Sequence, residues 1–498
     1  MNQWNHWQQQ MEMLFKQHRN QSIEYKTIKQ MSQYVFEHAE DFLFLAHRHE
    51  DEAAFIISRS FFERIVSLLF ILKDPSEVSS RAKRFYYSSR IRELLRVQIL
   101  VNSQEEAPLS KADRHRLQKQ EDECYQRYQC HLSEWIGQKI DWYKQRFDRI
   151  AIHYVSQQQL DRDHRRKGWC YVEMKVNPSL GQAIGNFSDL VQYTLGKKRL
   201  FLYHYFYGMN SLYTHGYDTN PQWMLGLAPT PKVTKYWMNQ LLIELMAALH
   251  RFFKEPFTNE KGTKPLRLPR IQSFPPLIPV DESIEQLEQR FNQLVHSYEI
   301  LKKAHRFLAA RLLVRTIFGL AVNLCFLKRE VVLKKPRTLR YQLSSRIQWL
   351  SNVKLLLQSV PEKQWTPKEA KKVETLLPQL EEWLQSSRDQ YDALIQWQVP
   401  HKASRRDKRR RNWFVEWDKN IKNTKQLARY ALQSHPIFCW QFEDGFHSVH
   451  VHGINLNHRY RLFGRDLIFT HDIADLSLCD ALIADNVWDV QHSDRAPE

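Results

Sequence analysis

The stretch Ala53–Leu94, AAFIISRSFFERIVSLLFILKDPSEVSSRAKRFYYSSRIREL, aligns without a gap on Ala309–Leu350, AARLLVRTIFGLAVNLCFLKREVVLKKPRTLRYQLSSRIQWL, at an offset of 256. Fourteen of the 42 positions are identical, where chance would give about 3. The identities are spread over residue types. Ala-Ala opens both segments, Arg59 lies over Arg315, and Ser-Ser-Arg-Ile nears the end of both. A second block, Asn186–Gly216, matches Asn423–Gly453 at 9 of 31 positions with an offset of 237, and both copies end in Ser-x-x-x-His-Gly. Between the blocks each copy has a basic cluster running into tryptophan: Arg165-Arg166-Lys167-Gly168-Trp169, and Arg409-Arg410-Arg411-Asn412-Trp413. Three landmarks in one order, with length changes only between them, predict a tandem duplication.

The class follows from periodicity and breakers. Only 13 glycines in 498 residues argue against turn-rich β-sandwiches and Gly-rich nucleotide loops, and long Leu/Gln/Glu/Lys/Arg stretches favour helices. Ala53–Leu72 and Ala309–Lys328 are apolar nearly all round, the pattern of a central bundle helix. Lys111–Val155 reads as an amphipathic helical hairpin arm, with Thr366–Gln398 as its counterpart, and Lys235–Phe253 as a closing helix. Pro256, Pro265, Pro269, Pro275, Pro276 and Pro279 interrupt any helix across Lys254–Val280. Helix should restart after Asp281, with Ser283-x-x-Gln286 as a capping box. The expected architecture is all-α. Two diverged bundles of five to seven helices, residues 1–254 and 281–498, are joined by a proline-rich linker, residues 255–280, with a little strand within Tyr460–Ala484.

A formal charge of +18 and a pI near 9.5 predict attraction to polyanions, with nucleic acid the first partner class and an anionic membrane surface the second. The six cysteines form no CxxC pair or finger-like Cys/His spacing, which argues against a disulfide framework or structural zinc. The N-terminal MNQWNHWQQQ has no apolar core of a signal peptide. Phe307–Leu327 is the best membrane candidate, but it carries Arg311 and Arg315 and reads better as a buried core helix. A cytoplasmic location without membrane association is expected.

Three sets of polar residues carry candidate chemistry. Arg59, Glu63 and Ser67 share one stripe of an otherwise apolar helix, whereas the second copy keeps Arg315 above Gly319 and Asn323. A buried charge needs a partner, so this stripe is either an internal bridge fixing register or the floor of a pocket. His215 and His452 are the histidines shared by the Ser-x-x-x-His-Gly blocks, with Ser211 and Ser448 four residues before them. An imidazole there serves as acid/base near pH 7, or as a satisfied cap on the bundle. His447, His450 and His452 suggest a metal cluster, but the first copy has Asn210 and Tyr213 at the first two places, so no metal site is assigned. No cofactor is expected, with a divalent metal as the minority alternative. The basic clusters, Arg165, Arg166 and Lys167 beside Trp169, and Arg405, Arg406, Arg409, Arg410 and Arg411 beside Trp413, suit phosphate contact with a base stacked on the ring. The bland alternative is a solvated loop.

The order Arg-x-x-x-Glu on an apolar helix, then Trp, then a Tyr-rich helix ending in Ser-x-x-x-His resembles an uncharacterised bacterial all-helical domain family whose members usually have one such domain. Arg59, Glu63, Trp169, Tyr205, Ser211 and His215 carry the likeness in the first copy; Arg315, Trp413, Ser448 and His452 carry it in the second, where Gly319 departs from the pattern. The likeness covers most of residues 35–250 and, more weakly, 290–455, and it implies no settled activity. A looser analogy runs to the HEPN superfamily of helical bundles, many of them RNases in toxin and antiviral systems, with Arg-x4-6-His in their clefts. Arg199/His204, Arg146/His153 and Arg429/His435 fit that spacing, none at an aligned position.

The functional expectation is a nucleic-acid-binding helical protein, an RNA-directed nuclease or effector in bacterial defence or toxin–antitoxin biology. Arg59 would hold developing charge, Glu63 act as its partner or base, and His215 move the proton. The alternative is a non-catalytic scaffold whose pseudo-twofold platform binds nucleic acid, a protein partner or a second copy of itself.

Overall fold

Several helices start on a side-chain cap supplied by the sequence: Ser22, Asn186 and Thr230 each accept from the amide three residues on. A computed structural model describes residues 3–102, 111–151, 184, 186–214, 229–257, 276–361, 365–395, 413–416, 419–432, 461–462 and 465–466. The described part is 85% helical, and the class is all-α. In chain order the first helices are α1 (Gln3–Gln17), α2 (Ile23–Ala46), α3 (Asp51–Leu72), α4 (Val78–Asn102), α5 (Lys111–Tyr128) and α6 (Leu132–Ala151). After α7 (Phe187–Leu195) come a one-turn α8 (Leu200–Leu202), a π-helical stretch over Tyr203–Met209, and α9 (Asn210–Thr214). α10 (Pro231–Phe253) closes this half, starting on the Thr230 hydroxyl cap with Pro231 in the first turn, where a missing N–H costs nothing.

The second half consists of α11 (Val280–Lys303), α12 (Phe307–Lys328), α13 (Val331–Ser359), α14 (Pro367–Ile395) and α15 (Thr424–Leu432). Strand among the described residues is limited to the antiparallel pair β1 (Arg461–Leu462) and β2 (Arg465–Asp466), plus an isolated bridge between Glu416 and Ile421. The core lies along α3 and α12. Every residue of α3 from Ala53 on is buried, and burial of its Phe, Leu and Ile side chains contributes about 1.5–3 kcal/mol each.

Residues 256 apart adopt the same local geometry. His49 (φ 60°) and His305 (φ 58°) both take the left-handed conformation that ends a helix. The next amide donates five residues back in each case, Glu50 N to Leu45 O at 3.1 Å and Arg306 N to Leu301 O at 2.8 Å. Further on, Arg81 donates to Phe70 O at 2.8 Å and Arg337 to Phe326 O at 2.9 Å. Each guanidinium lies over the ring of that phenylalanine, at 4.2 and 4.1 Å. Each also donates to a tyrosine hydroxyl, Tyr193 at 3.2 Å and Tyr430 at 3.3 Å. Those tyrosines are 237 residues apart, the offset of the second sequence block. A cation, Lys73 or Arg329, sits over each tyrosine ring at 4.7 and 4.6 Å. Asn186 and Asn423 cap α7 and α15 alike, each accepting from the amide three residues on at 3.0 Å.

Contacts between the halves are reciprocal. Arg306 pairs with Asp41, and Ser297 donates to Glu50. Positions 41 and 297, and 50 and 306, are each 256 apart, so the two contacts exchange under the same shift, as contacts across a twofold interface do. Arg290 adds an ion pair with Glu52 and a bond to Tyr213 O at 2.9 Å.

Two expectations need correction. Ser283 caps nothing: α11 starts earlier, at Val280, and the Ser283 side chain is buried within it. The expected hairpin arm forms as α5 and α6, but its counterpart is one 29-residue helix, α14. Ser211 lies on α9, just after the π-helical stretch, whereas His215 lies outside the described residues. Among the described residues α12 alone is long and apolar enough to cross a membrane, and 89% of its most apolar window is buried inside the protein.

Candidate functional site

The polar stripe of α3 meets the π-helical stretch and α12 near the junction of the two halves. Arg59 is wholly buried and donates through Nε to Glu63 Oε1 at 3.2 Å, the i,i+4 pairing that the spacing allows. Its guanidinium carbon lies 4.6 Å from the Tyr207 ring centroid. Ser67, one turn further, bonds back to Glu63 O at 2.8 Å and adds no group to the cluster. The internal bridge of the two alternatives is therefore formed. Removing either partner would strand a charge in the interior.

Tyr207 is the pivot. It stacks on Tyr203 with centroids 5.0 Å apart and planes 14° from parallel. A π-helical stretch carries one extra residue per turn and re-aims the side chains along it; Tyr203 and Tyr207 are both half-buried here. Burial pushes the Tyr207 hydroxyl above its ordinary range and the Glu63 carboxylate pushes it the same way, while Arg59 and Arg315 pull it back. Burial, chiefly, drives Tyr203 up to about 12. Neither phenol gives up a proton readily at neutral pH.

Arg315, the position equivalent to Arg59, approaches the same tyrosine from the other half. It donates to Thr214 O at 3.3 Å, and Thr316 donates to the same carbonyl at 3.1 Å. Gly319, the position equivalent to Glu63, is half-exposed on an otherwise buried helix. A Cβ placed there meets no described atom within 4 Å. Arg59, Glu63 and the two stacked phenols thus form one contact group, and the charge of Arg315 reaches Tyr207 from α12.

The structure pairs Arg59 with Glu63 and brings the charges of Arg59 and Arg315 to bear on the same Tyr207 hydroxyl. Ser211, half-buried on α9, follows Asn210, whose side chain donates to Ser58 Oγ at 2.8 Å, next to Arg59. His215 begins immediately after Thr214, the residue Arg315 holds, but it lies outside the described residues. So do Arg165, Arg166, Lys167, Trp169, Arg405, Arg406, Arg409, Arg410, Arg411, Ser448, His447, His450 and His452. Trp413 departs from expectation. It is 5% exposed, and its ring meets Phe326 and Tyr341 edge-on at 5.6 and 4.8 Å, so its faces serve the core rather than a nucleobase. Of the HEPN-type spacings, Arg199 is paired with Glu244, and burial pushes His204 down to about 4. No group of three metal-ligating side chains occurs among the described residues. Sequence reasoning missed Tyr203 and Tyr207. The Tyr-His-Tyr-Phe-Tyr run of residues 203–207 was a visible signal, but a π-helical register cannot be read from helical spacing.

Comparison with known proteins places one part of the chain. Residues 25–221 match the model of a family described as "Family of unknown function (DUF5677)". The match spans α2 to α9 and includes Arg59, Glu63, Ser211 and His215, consistent with an uncharacterised domain family. No curated protein and no solved structure matches the chain.

Proposed function

We propose that this chain is a cytoplasmic nucleic-acid-binding protein built from two fused copies of one helical bundle, with the Arg59–Glu63–Tyr207–Arg315 cluster as its candidate phosphate site. The observation that carries the reading is the net charge. The chain carries 73 Lys and Arg against 55 Asp and Glu, a formal charge of +18. A folded body with that surplus holds a positive field over its surface and draws polyanions at low ionic strength. The reading extends to RNA cleavage if His215 stands within reach of the arginines, because phosphodiester chemistry needs a proton carrier and a cation for the developing charge.

The test is incubation of the purified protein with labelled RNA, single-stranded DNA and duplex DNA, with and without a divalent metal. Retarded complexes support binding, and shortened RNA lost in His215→Ala supports catalysis. Absence of any complex at low salt ends the reading. The second reading, a non-catalytic platform, is favoured by one specific observation: Arg59 and Glu63 satisfy each other in the interior. Intact RNA with tight binding would decide for it.

A further inference from the structure

One side of α6 carries a ladder of rings and cations that is buried at Trp135 and exposed at Trp142 and Arg146. Trp135, Lys139, Trp142 and Arg146 follow one another at steps of four, three and four residues, the spacing of a single helical stripe. Lys139 Nζ lies 5.3 Å from the Trp135 ring and 5.9 Å from the Trp142 ring, and the Arg146 guanidinium lies 3.9 Å over Trp142. Tyr128, at the end of α5, extends the row with its ring 5.7 Å from that of Trp135. From Trp135 to Arg146 the stripe runs about 16 Å along the helix. The adjoining side of α6 packs through Leu132, Ile136, Ile140 and Phe147, with Trp135 buried at its edge.

Two features separate this stripe from ordinary surface. Tyr128 and Trp142 are 46% and 42% exposed, large aromatic area left in water beside cations. The matching helix of the other half, α14, packs on α13 as α6 packs on α4, yet exposes no ring: Trp383 is half-buried and Tyr391 buried. A framework role would be shared by both halves. The ladder is confined to one.

We infer that this stripe docks a single strand of nucleic acid, bases stacking on Tyr128 and Trp142 while Lys139 and Arg146 face the phosphates. The inference rests on the nucleic-acid reading above and names its surface and strand class. Stacking on an exposed ring is open to unpaired bases and closed to bases inside a duplex, and alternating rings and cations match the alternation of base and phosphate.

The experiment is fluorescence anisotropy of the full chain with labelled single-stranded RNA, single-stranded DNA and a duplex of the same sequence. Trp142→Ala should weaken single-strand binding about five- to hundredfold and leave duplex binding within about twofold. Trp142→Phe should recover most of the loss. Lys139→Ala/Arg146→Ala should flatten the salt slope by about 1–2. If wild type binds single strands and both variants bind them equally well, the stripe is not the surface, though the nucleic-acid reading stands. Equal loss of single-strand and duplex binding in Trp142→Ala overturns the strand class. Failure of wild type to bind any nucleic acid ends both.

Discussion

Asp41 on α2 is ion-paired with Arg306, and the positions 256 residues away from each, Ser297 and Glu50, make the reciprocal contact. A pair of contacts that exchange under one shift is what twofold-related surfaces produce. The exchange ties the sequence offset to the way the halves meet.

The Asp41–Arg306 contact should make stability depend on pH. Burial lifts the Asp41 carboxyl to about 7 despite Arg306, and Glu37, one turn earlier, also rises to about 7, again by burial. An acid whose folded pKa exceeds its unfolded value makes the folded state bind more protons between the two. Stability should therefore fall as pH rises from about 4 to about 7 and level off above. Asp41→Asn should flatten the melting-temperature profile across that window. Identical profiles for variant and wild type would show that Asp41 does not titrate there.

Glu63→Ala strands the Arg59 guanidinium in the interior. Urea denaturation should show a loss of about 3–5 kcal/mol. A loss below about 1 kcal/mol would mean that Arg59 reaches water or another acid, and would favour an open catalytic pocket over an internal bridge.

Gly319→Ala should be stabilising. The site is helical with open space at Cβ, and alanine in a helix is favoured over glycine by about 0.5–1 kcal/mol. A destabilised variant in chemical denaturation would mean that the space beside Arg315 is filled.

Trp413→Ala removes a buried indole and should cost about 3–5 kcal/mol in the same assay. Nucleic-acid affinity measured below the melting transition should stay within about twofold. A selective loss of affinity at unchanged stability would restore the stacking role to this ring.

The all-α class was legible because helical periodicity survives in the sequence: the two apolar rods and the α5–α6 hairpin followed from it. The Arg81–Phe70–Tyr193 cluster and its partner at Arg337, Phe326 and Tyr430 were present as identities in the two blocks, but sequence gives no sign that residues 112 or 93 apart touch. The site was half-legible. Arg59 and Glu63 stood out as charges on an apolar rod, whereas Tyr207 did not, because its place depends on a π-helical register and on α12 arriving from the other half. The basic cluster beside Trp413 misled in another way. Charge next to an aromatic ring looks the same in sequence whether the ring faces solvent or, as here, packs on Phe326 and Tyr341.

The most direct test of the whole account is the salt dependence of nucleic-acid binding by the full chain. Between 50 and 200 mM salt, log affinity for a labelled RNA should fall linearly against log salt with a slope steeper than about −3, the signature of several phosphates neutralised by the helical body. A flat line, or no complex at 50 mM salt, would contradict it.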